Sequence, residues 1–185
     1  ASPCTGAKMS FDASILSGGD IRDMEEKLRV ALDKVCNWWG PTFRGPFTIE
    51  VSDDRGPSMA LVPAWRGNRG HMLFRARNRG NPAFTHEMVH VFAPNANRFL
   101  GEGLAVYAHE HLKGAEAYPN FGRDLHDAAR GLAEKADLAA LDRVATPRRL
   151  ETGDLDGDDA YLVAGSFVRF LIEKYGLDRF RALYA

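Results

Sequence analysis

The pattern of apolar and polar positions predicts one helix and three strands before Pro82. Apolar residues recur at helical spacing over residues 20–37, where Asp20 is the expected N-cap, and Gly40-Pro41 is expected to end the helix. The first strand alternates, with Phe47, Ile49 and Val51 on one face. Two Asn-Arg-Gly turn sequences flank the last strand. The three predicted strands are residues 47–53, 58–65 and 70–77.

After Pro82 the periodicity is helical to the end of the chain. A small sheet followed by a helical half is typical of α+β proteins, and 185 residues is the length of one domain. We therefore expect a single domain over residues 1–185, with a small, mostly antiparallel N-terminal sheet and one helix ahead of the helical half. The predicted helices of that half are about residues 83–93, 98–112, 121–135, 159–174 and 178–184.

Composition excludes several classes of partner. The chain is 45% hydrophobic and 26% charged, with a net charge of −1. No excess of charge therefore points to nucleic acid or to a membrane surface. No apolar segment approaches the roughly 20 residues that span a bilayer. We expect no nucleic-acid partner and no membrane partner.

The residues FTHEMVHVF, at positions 84–92, contain two histidines four positions apart with a glutamate directly after the first. Side chains at i and i+4 of a helix lie on one face, so His86 and His90 can both direct a ring nitrogen at one ion. Glu87 is offset from that face and is placed to reach a metal-bound water instead of the metal. Chance produces such a pattern about 0.01 times in a chain of this composition, which favours a metal site.

A metal site that performs chemistry usually has three protein ligands and one position open for water. Downstream of His90, Pro94 ends the first helix, and Asn95 and Asn97 supply the turn and the N-cap of a second helix. The second helix carries Glu102 between two glycines, each of which costs a helix roughly 1 kcal/mol relative to alanine. Close approach of this helix to its neighbour is the expected compensation, and it would bring the Glu102 carboxylate to the ion.

Histidines elsewhere are weaker candidates for the third ligand. Ala96 stands where the longer pattern H-E-x-x-H-x-x-G-x-x-H requires histidine, so that pattern fails. His109 and His111 lie about two turns beyond Glu102 on the same helix, too far along it to bind the same ion easily. His109 faces roughly the same way as Glu102, so it is either a residue that orients a ligand or an ordinary surface histidine.

The segment HEMVHVF followed by FLGEGLAVY resembles the gluzincin branch of zinc metallopeptidases, in particular the bacterial peptidase MA-like domains. A third segment, YLVAGSFVRFLIEKYG at 161–176, is similar to the late helix of the same domains. The resemblance implies a zincin-like fold that binds one Zn²⁺ per chain. It also implies His86, His90 and Glu102 as the zinc ligands, with Glu87 as the general base.

The chain departs from the gluzincin pattern in three places. Phe99 stands where these domains usually have tryptophan. Eleven residues separate His90 from Glu102, fewer than in thermolysin-like or aminopeptidase members. The G-x-M-E-N sequence with which aminopeptidases hold a free N-terminus is absent, so we expect an endopeptidase.

The resemblance also implies a hydroxyl donor for the oxyanion, because related aminopeptidases use a tyrosine well downstream of the glutamate ligand. Tyr161 is the best positional match, and Tyr107 and Tyr118 are alternatives. Tyr161 also belongs to an apolar stripe of the late helix, so a position in the core is the competing interpretation.

In gluzincins the strand just before the active-site helix lies at the edge of the sheet and pairs with extended substrate. Residues 70–77 occupy that place in the sequence. Arginines are frequent here, and no acidic residue lies between Arg55 and His86. This charge favours an acidic substrate or a C-terminal carboxylate of the substrate. An edge strand kept soluble by its arginines is the alternative.

Cys4 and Cys36 are the two cysteines of the chain, too few for a disulfide scaffold. The chain begins with Ala1 instead of Met, which favours removal of an upstream segment, and a small hydrolase without its leader fits export. We therefore expect an exported protein, periplasmic or extracellular, with one disulfide between Cys4 and Cys36. Two idle thiols are the alternative.

These observations predict a secreted zinc metallopeptidase that acts as a monomer on a peptide or protein substrate, using a zinc-activated water. The alternative is a non-catalytic, zinc-stabilised module of the same fold that binds a peptide. Glu87 argues against this alternative, because a purely structural site has no use for that carboxylate. A structural zinc would also normally require four protein ligands.

Overall fold

A computed structural model describes residues 9–12, 16–43, 46–52, 58–61, 70–75, 83–114, 116–132 and 157–185. Over these residues the fold is mixed α+β and mostly helical, as the sequence predicts. The chain divides into two compact units, Ala1–Pro94 and Asn95–Ala185. Within the described ranges, every helix falls short of the length or the apolar character that a membrane span needs.

Each unit has its own set of elements. In chain order, the first unit contains β1 (Met9–Asp12), α1 (Gly18–Trp39), β2 (Phe47–Ser52), β3 (Met59–Leu61), β4 (Gly70–Arg75) and α2 (Phe84–Phe92). The described residues of the second unit form α3 (Arg98–His111), α4 (Leu125–Ala129), α5 (Gly157–Tyr175) and α6 (Leu177–Tyr184).

The strands form one four-stranded sheet in the order β1–β2–β4–β3. β1 is parallel to β2, β2 is parallel to β4, and β3 is antiparallel to β4. The prediction of a mostly antiparallel sheet was therefore wrong. The sequence pattern did not reveal β1. Parallel strands need a crossover connection, and α1 provides it between β1 and β2. The predicted inner face of β2 is confirmed, because Phe47, Ile49 and Val51 are all buried.

β4 lies inside the sheet and not at its edge. It pairs with β2 from Phe47↔Gly70 to Ser52↔Arg75, and with β3 on its other side. The prediction that this segment is an edge strand was wrong over Gly70–Arg75, because both sides of β4 already have partner strands. An extended substrate therefore cannot pair with β4, because β3 already occupies the position beside it. Of the arginines in this part of the chain, Arg75 is described and Arg55, Arg66, Arg69, Arg77 and Arg79 lie outside the described residues.

α1 begins one turn earlier than its apolar pattern indicates. Ser17 is the N-cap: its hydroxyl accepts a hydrogen bond from the Asp20 amide at 3.2 Å, and the Asp20 carboxylate accepts one from the Ser17 amide at 3.3 Å. Asp20 thus completes a capping box from inside the helix, and its prediction as the N-cap was wrong. Two glycines follow Ser17 and weaken the helical signal there. The helix ends as predicted, at Gly40, whose φ is 108°.

α3 and α5 pack at very short distance because each carries a glycine at the contact. A Cβ atom on Gly103 would lie 2.5 Å from the backbone oxygen of Ala164, and one on Gly165 would lie 2.5 Å from Cγ1 of Val106. A close approach at a glycine beside Glu102 is therefore present, but it is made to α5. The expectation that it brings the Glu102 carboxylate to the ion stays a prediction. Buried apolar side chains fill this part of the second unit: Leu104, Ala105, Ala108, Leu125 and Val168.

α4 is shorter than the predicted helix at 121–135. Phe121 and Gly122 have φ angles of 48° and 80°, so the helix cannot include them. Asp124 caps α4 by accepting a hydrogen bond from the Asp127 amide at 3.1 Å. The end of the predicted helix, residues 133–135, lies outside the described residues.

Arg169 of α5 connects α3 and α4 through charged hydrogen bonds. Its Nη1 donates to Glu110 Oε1 at 3.0 Å and to Asp124 Oδ2 at 2.6 Å, and its Nε donates to Glu173 at 2.8 Å. The hydrogen bond from Arg169 holds the pKa of Asp124 below its ordinary value. The pKa of Glu110 is raised instead, because burial outweighs the charge of the same arginine.

Cys36 lies buried near the end of α1 and is disulfide-bonded. Cys4, the other cysteine of the chain, lies outside the described residues. The predicted bridge between these two residues therefore stays a prediction.

Candidate metal centre

α2 carries the two histidines on a helix that is buried on almost every side. Of its nine residues, all except His90 are buried, and His90 is half-buried. The helix packs against α1, β3 and β4, and the ring of Phe84 meets that of Phe74 edge-on at 5.0 Å. A helix of this length is unstable in isolation, so packing within the first unit determines its orientation.

The imidazole rings of His86 and His90 converge through the same nitrogen. Their Nε2 atoms lie 3.2 Å apart, with the ring planes at 76°. Two imidazole nitrogens bound tetrahedrally at about 2.0–2.1 Å from one zinc lie roughly 3.3 Å apart. The i,i+4 spacing therefore produces the nitrogen separation that zinc requires. A hydrogen bond between the two rings is compatible with the same distance.

Glu102 lies in the second turn of α3, where the local sequence determines how the helix begins. Asn95 Oδ1 accepts a hydrogen bond from the Asn97 amide at 2.7 Å, and Asn97 Oδ1 accepts one from the Leu100 amide at 3.1 Å. The predicted turn and N-cap are thus confirmed. Arg98 follows the cap, with its Nε 3.6 Å from Glu102 Oε1. A cation in the first turn opposes the helix dipole, and the pairing with Glu102 offsets part of that cost.

The predicted ligands offer a chemically suitable donor set. His86, His90 and Glu102 each supply one ligand atom, and these three atoms all lie within 4.8 Å of one another. Among the described residues, they are the one group of three or more such side chains that meets this criterion. Two imidazole nitrogens and a carboxylate oxygen form a ligand set common in catalytic zinc sites. The Glu102 side chain itself is 15% exposed.

Glu87, the predicted general base, is 6% exposed. It follows His86 directly on α2, about 100° further around the helix, and it precedes His90 by three positions. Its carboxylate is thus carried on the flank of the histidine face. Burial of a carboxylate is costly, so its place on this buried helix is consistent with a role in the site.

Tyr161, the predicted oxyanion donor, combines core packing with a polar contact. Its ring packs against a cluster that includes Phe99 and Ala164. Its hydroxyl accepts a hydrogen bond from Nη2 of Arg98 at 3.3 Å, and Arg98 is also the partner of Glu102. Tyr161 is therefore linked to Glu102 through one side chain. Its catalytic role stays a prediction.

Two residues of α3 were alternative candidates for roles in the site: Tyr107 as the oxyanion donor and His109 as a residue that orients a ligand. Tyr107 lies five positions after Glu102, about 140° around the helix, and its hydroxyl lies 3.4 Å from Nδ1 of His111. Its ring is buried, which raises the pKa of its phenol. His109 is also buried, so its interpretation as a surface histidine was wrong. The His109 ring lies where a Cβ on Gly114 would approach within 2.4 Å, which sequence spacing could not indicate.

Tyr184 is a residue near Glu102 that the sequence did not reveal. Its hydroxyl lies 3.8 Å from the position of a Cβ on Gly101, directly before Glu102. Its backbone oxygen accepts a hydrogen bond from Asn95 Nδ2 at 2.7 Å. Burial raises the pKa of Tyr184, and the negative charge of Glu102 adds to the effect. In the sequence it is one aromatic residue of a short terminal helix, and no local pattern relates it to a site 82 positions earlier.

Comparisons of the chain with protein-family models, curated proteins and solved structures gave no match. The resemblance to gluzincins therefore stays a prediction.

Proposed function

We propose that this protein is a zinc-dependent metallopeptidase of the gluzincin type that hydrolyses peptide bonds. The observation that carries the proposal is the 3.2 Å separation of the His86 and His90 Nε2 atoms, with a Glu102 carboxylate oxygen within 4.8 Å of the same ligand set. Glu87 beside the first histidine adds the group that a hydrolytic site needs and a structural site does not.

His86, His90 and Glu102 would hold the ion and leave a position open for water or substrate. When bound, zinc supplies a Lewis acid that lowers the pKa of water and polarises a carbonyl group. Glu87 accepts the proton of the attacking water and passes it to the leaving amine. Arg98 holds the Glu102 carboxylate from the side of the first helical turn, as its 3.6 Å contact supports.

Glu87→Gln separates an enzyme from a module that only binds peptide. Glutamine keeps the size of the side chain but cannot accept a proton near neutral pH. Zinc content, measured by mass spectrometry of the metal, should remain about one per chain, since Glu87 is not a ligand. Hydrolysis of a diverse peptide library should fall by at least about 10²-fold.

Glu26→Gln is the matched control, because Glu26 is an exposed glutamate of α1 that undergoes the same chemical change. This variant should keep both its zinc and its activity. Loss of zinc from Glu87→Gln would mean that a ligand has been misassigned. A zinc-loaded wild type that cleaves no member of the library would favour the peptide-binding module. Stoichiometric zinc in a His86→Ala, His90→Ala double variant would refute the metal centre itself.

A further inference from the structure

An aromatic cluster in the second unit continues from the candidate metal ligand to the surface. The ring of Tyr118 meets the ring of Tyr161 edge-on at 5.5 Å and that of Phe121 edge-on at 6.3 Å. Tyr161 in turn contacts Arg98 at 3.3 Å, and Arg98 contacts Glu102 at 3.6 Å. Four contacts therefore connect the outermost ring, Phe121, with the Glu102 carboxylate.

The outer rings of this cluster are exposed although they are large and apolar. Phe121 is 61% exposed and Tyr118 is 37% exposed. Burial of one aromatic ring usually stabilises a fold substantially, so two neighbouring rings left at the surface contribute little of that stability. Neighbouring exposed aromatic side chains commonly mark a surface that binds a ligand.

The backbone adds a second, independent observation. Phe121 adopts a φ of 48°, a left-handed conformation that is unfavourable for a bulky residue other than glycine. Such strain persists only where the surroundings enforce it, and it clusters at ligand-binding positions. Burial of the ring does not offset this backbone strain, since Phe121 is the most exposed member of the cluster.

We propose that Tyr118, Phe121 and Tyr161 form a subsite for a large apolar side chain, preferably aromatic, of the peptide substrate. This inference rests on the proposed peptidase function, because it takes the cluster to flank the scissile bond. Tyr118 and Tyr161 already meet edge-on, and a third ring can add to them in the same edge-to-face manner. The Arg98 contact keeps Tyr161 oriented at the inner end of the subsite.

Binding of small probes tests the subsite independently of any chemistry. N-acetyl-L-phenylalaninamide and N-acetyl-L-alaninamide are titrated into the zinc-loaded protein and followed by NMR. The phenylalanine probe should bind measurably tighter and should shift the ring resonances of Tyr118 and Phe121. Phe121→Ala should weaken its binding by about tenfold, since the variant removes one wall of the subsite.

Phe170→Ala is the matched control. Phe170 is an aromatic residue of similar exposure, 45%, on α5, nine positions after Tyr161 and therefore on the opposite side of that helix. This variant should bind the phenylalanine probe as the wild type does. Equal binding of the two probes, or an equal loss in both variants, would overturn the subsite.

Cleavage of a peptide library separates failure of the subsite from failure of the proposed function. Wild-type protein should enrich aromatic or large apolar residues at one position next to the scissile bond, and Phe121→Ala should reduce that enrichment by about tenfold. Cleavage without such a preference would refute the subsite and still support the proposed peptidase function. Selective binding of the phenylalanine probe without cleavage of any peptide would refute the peptidase and retain the subsite.

Discussion

Replacing each of the two glycines beside Glu102 by alanine should change stability in opposite directions. Both lie in the interior of α3, so each substitution gains up to about 1 kcal/mol of helix propensity. At Gly101 the nearest atoms to a new Cβ, on Asn95 and Tyr184, lie at 3.8 Å, which is ordinary van der Waals contact. Gly101→Ala should therefore stabilise the protein by about 0.5–1 kcal/mol.

Gly103→Ala meets atoms that cannot move aside. The new Cβ would lie 2.5 Å from the backbone oxygen of Ala164 and 2.8 Å from Cγ2 of Val168. Relief requires α3 and α5 to separate by roughly 1 Å, which loses dispersion contacts along both helices. Overpacking of this kind costs about 1–3 kcal/mol. A backbone obstacle places the cost in the upper part of that range, so the net destabilisation should be roughly 1–2 kcal/mol after the propensity gain.

Urea denaturation followed by circular dichroism measures both variants, with the zinc concentration held constant so that metal binding does not shift the result. The propensity gain is common to both variants, so the difference between them isolates the packing cost of about 2–3 kcal/mol. Thermal melts should show Gly101→Ala a few degrees above wild type and Gly103→Ala below it. A shift of stability in the same direction for both variants would refute the close α3–α5 contact at Gly103.

Three further experiments test other parts of the molecule. If the Tyr161 hydroxyl donates to the oxyanion, Tyr161→Phe should lower kcat by roughly 10²-fold with zinc content unchanged. An unchanged kcat would mean that Tyr161 is only a packing residue of the core. The pKa of Asp124 is lowered by its hydrogen bond from Arg169, so its stabilising effect is present above its unfolded pKa of about 3.9 and is lost as pH falls through the lower folded value. Asp124→Asn, which keeps a helix-capping side chain, should accordingly be less stable than wild type in urea at pH 7, and a gap that persists well below pH 3 would contradict this assignment. Protein from an oxidising compartment should show no reactive thiol after unfolding without reductant, whereas two thiols would refute the bridge between Cys4 and Cys36.

The sequence by itself determined the features that depend on neighbours a few residues apart. The i,i+4 spacing of His86 and His90 brought both Nε2 atoms together, because one turn of helix places such residues on one face. The Asn97 cap, the end of α1 at Gly40 and the buried face of β2 follow from hydrogen bonds and side-chain alternation of the same short range. Where the local signal was weak, at the two glycines after Ser17, α1 begins earlier than the sequence predicts.

Only the tertiary structure decided which distant segments meet. The parallel order of the sheet depends on β1, whose four residues carry too little pattern to be recognised, and on α1 as the crossover between strands. Tyr184 lies beside Gly101, and Tyr118 meets Tyr161, because helices far apart in the chain pack together in the second unit. Such contacts arise from the complementarity of whole surfaces, and no periodicity within one segment encodes its partner.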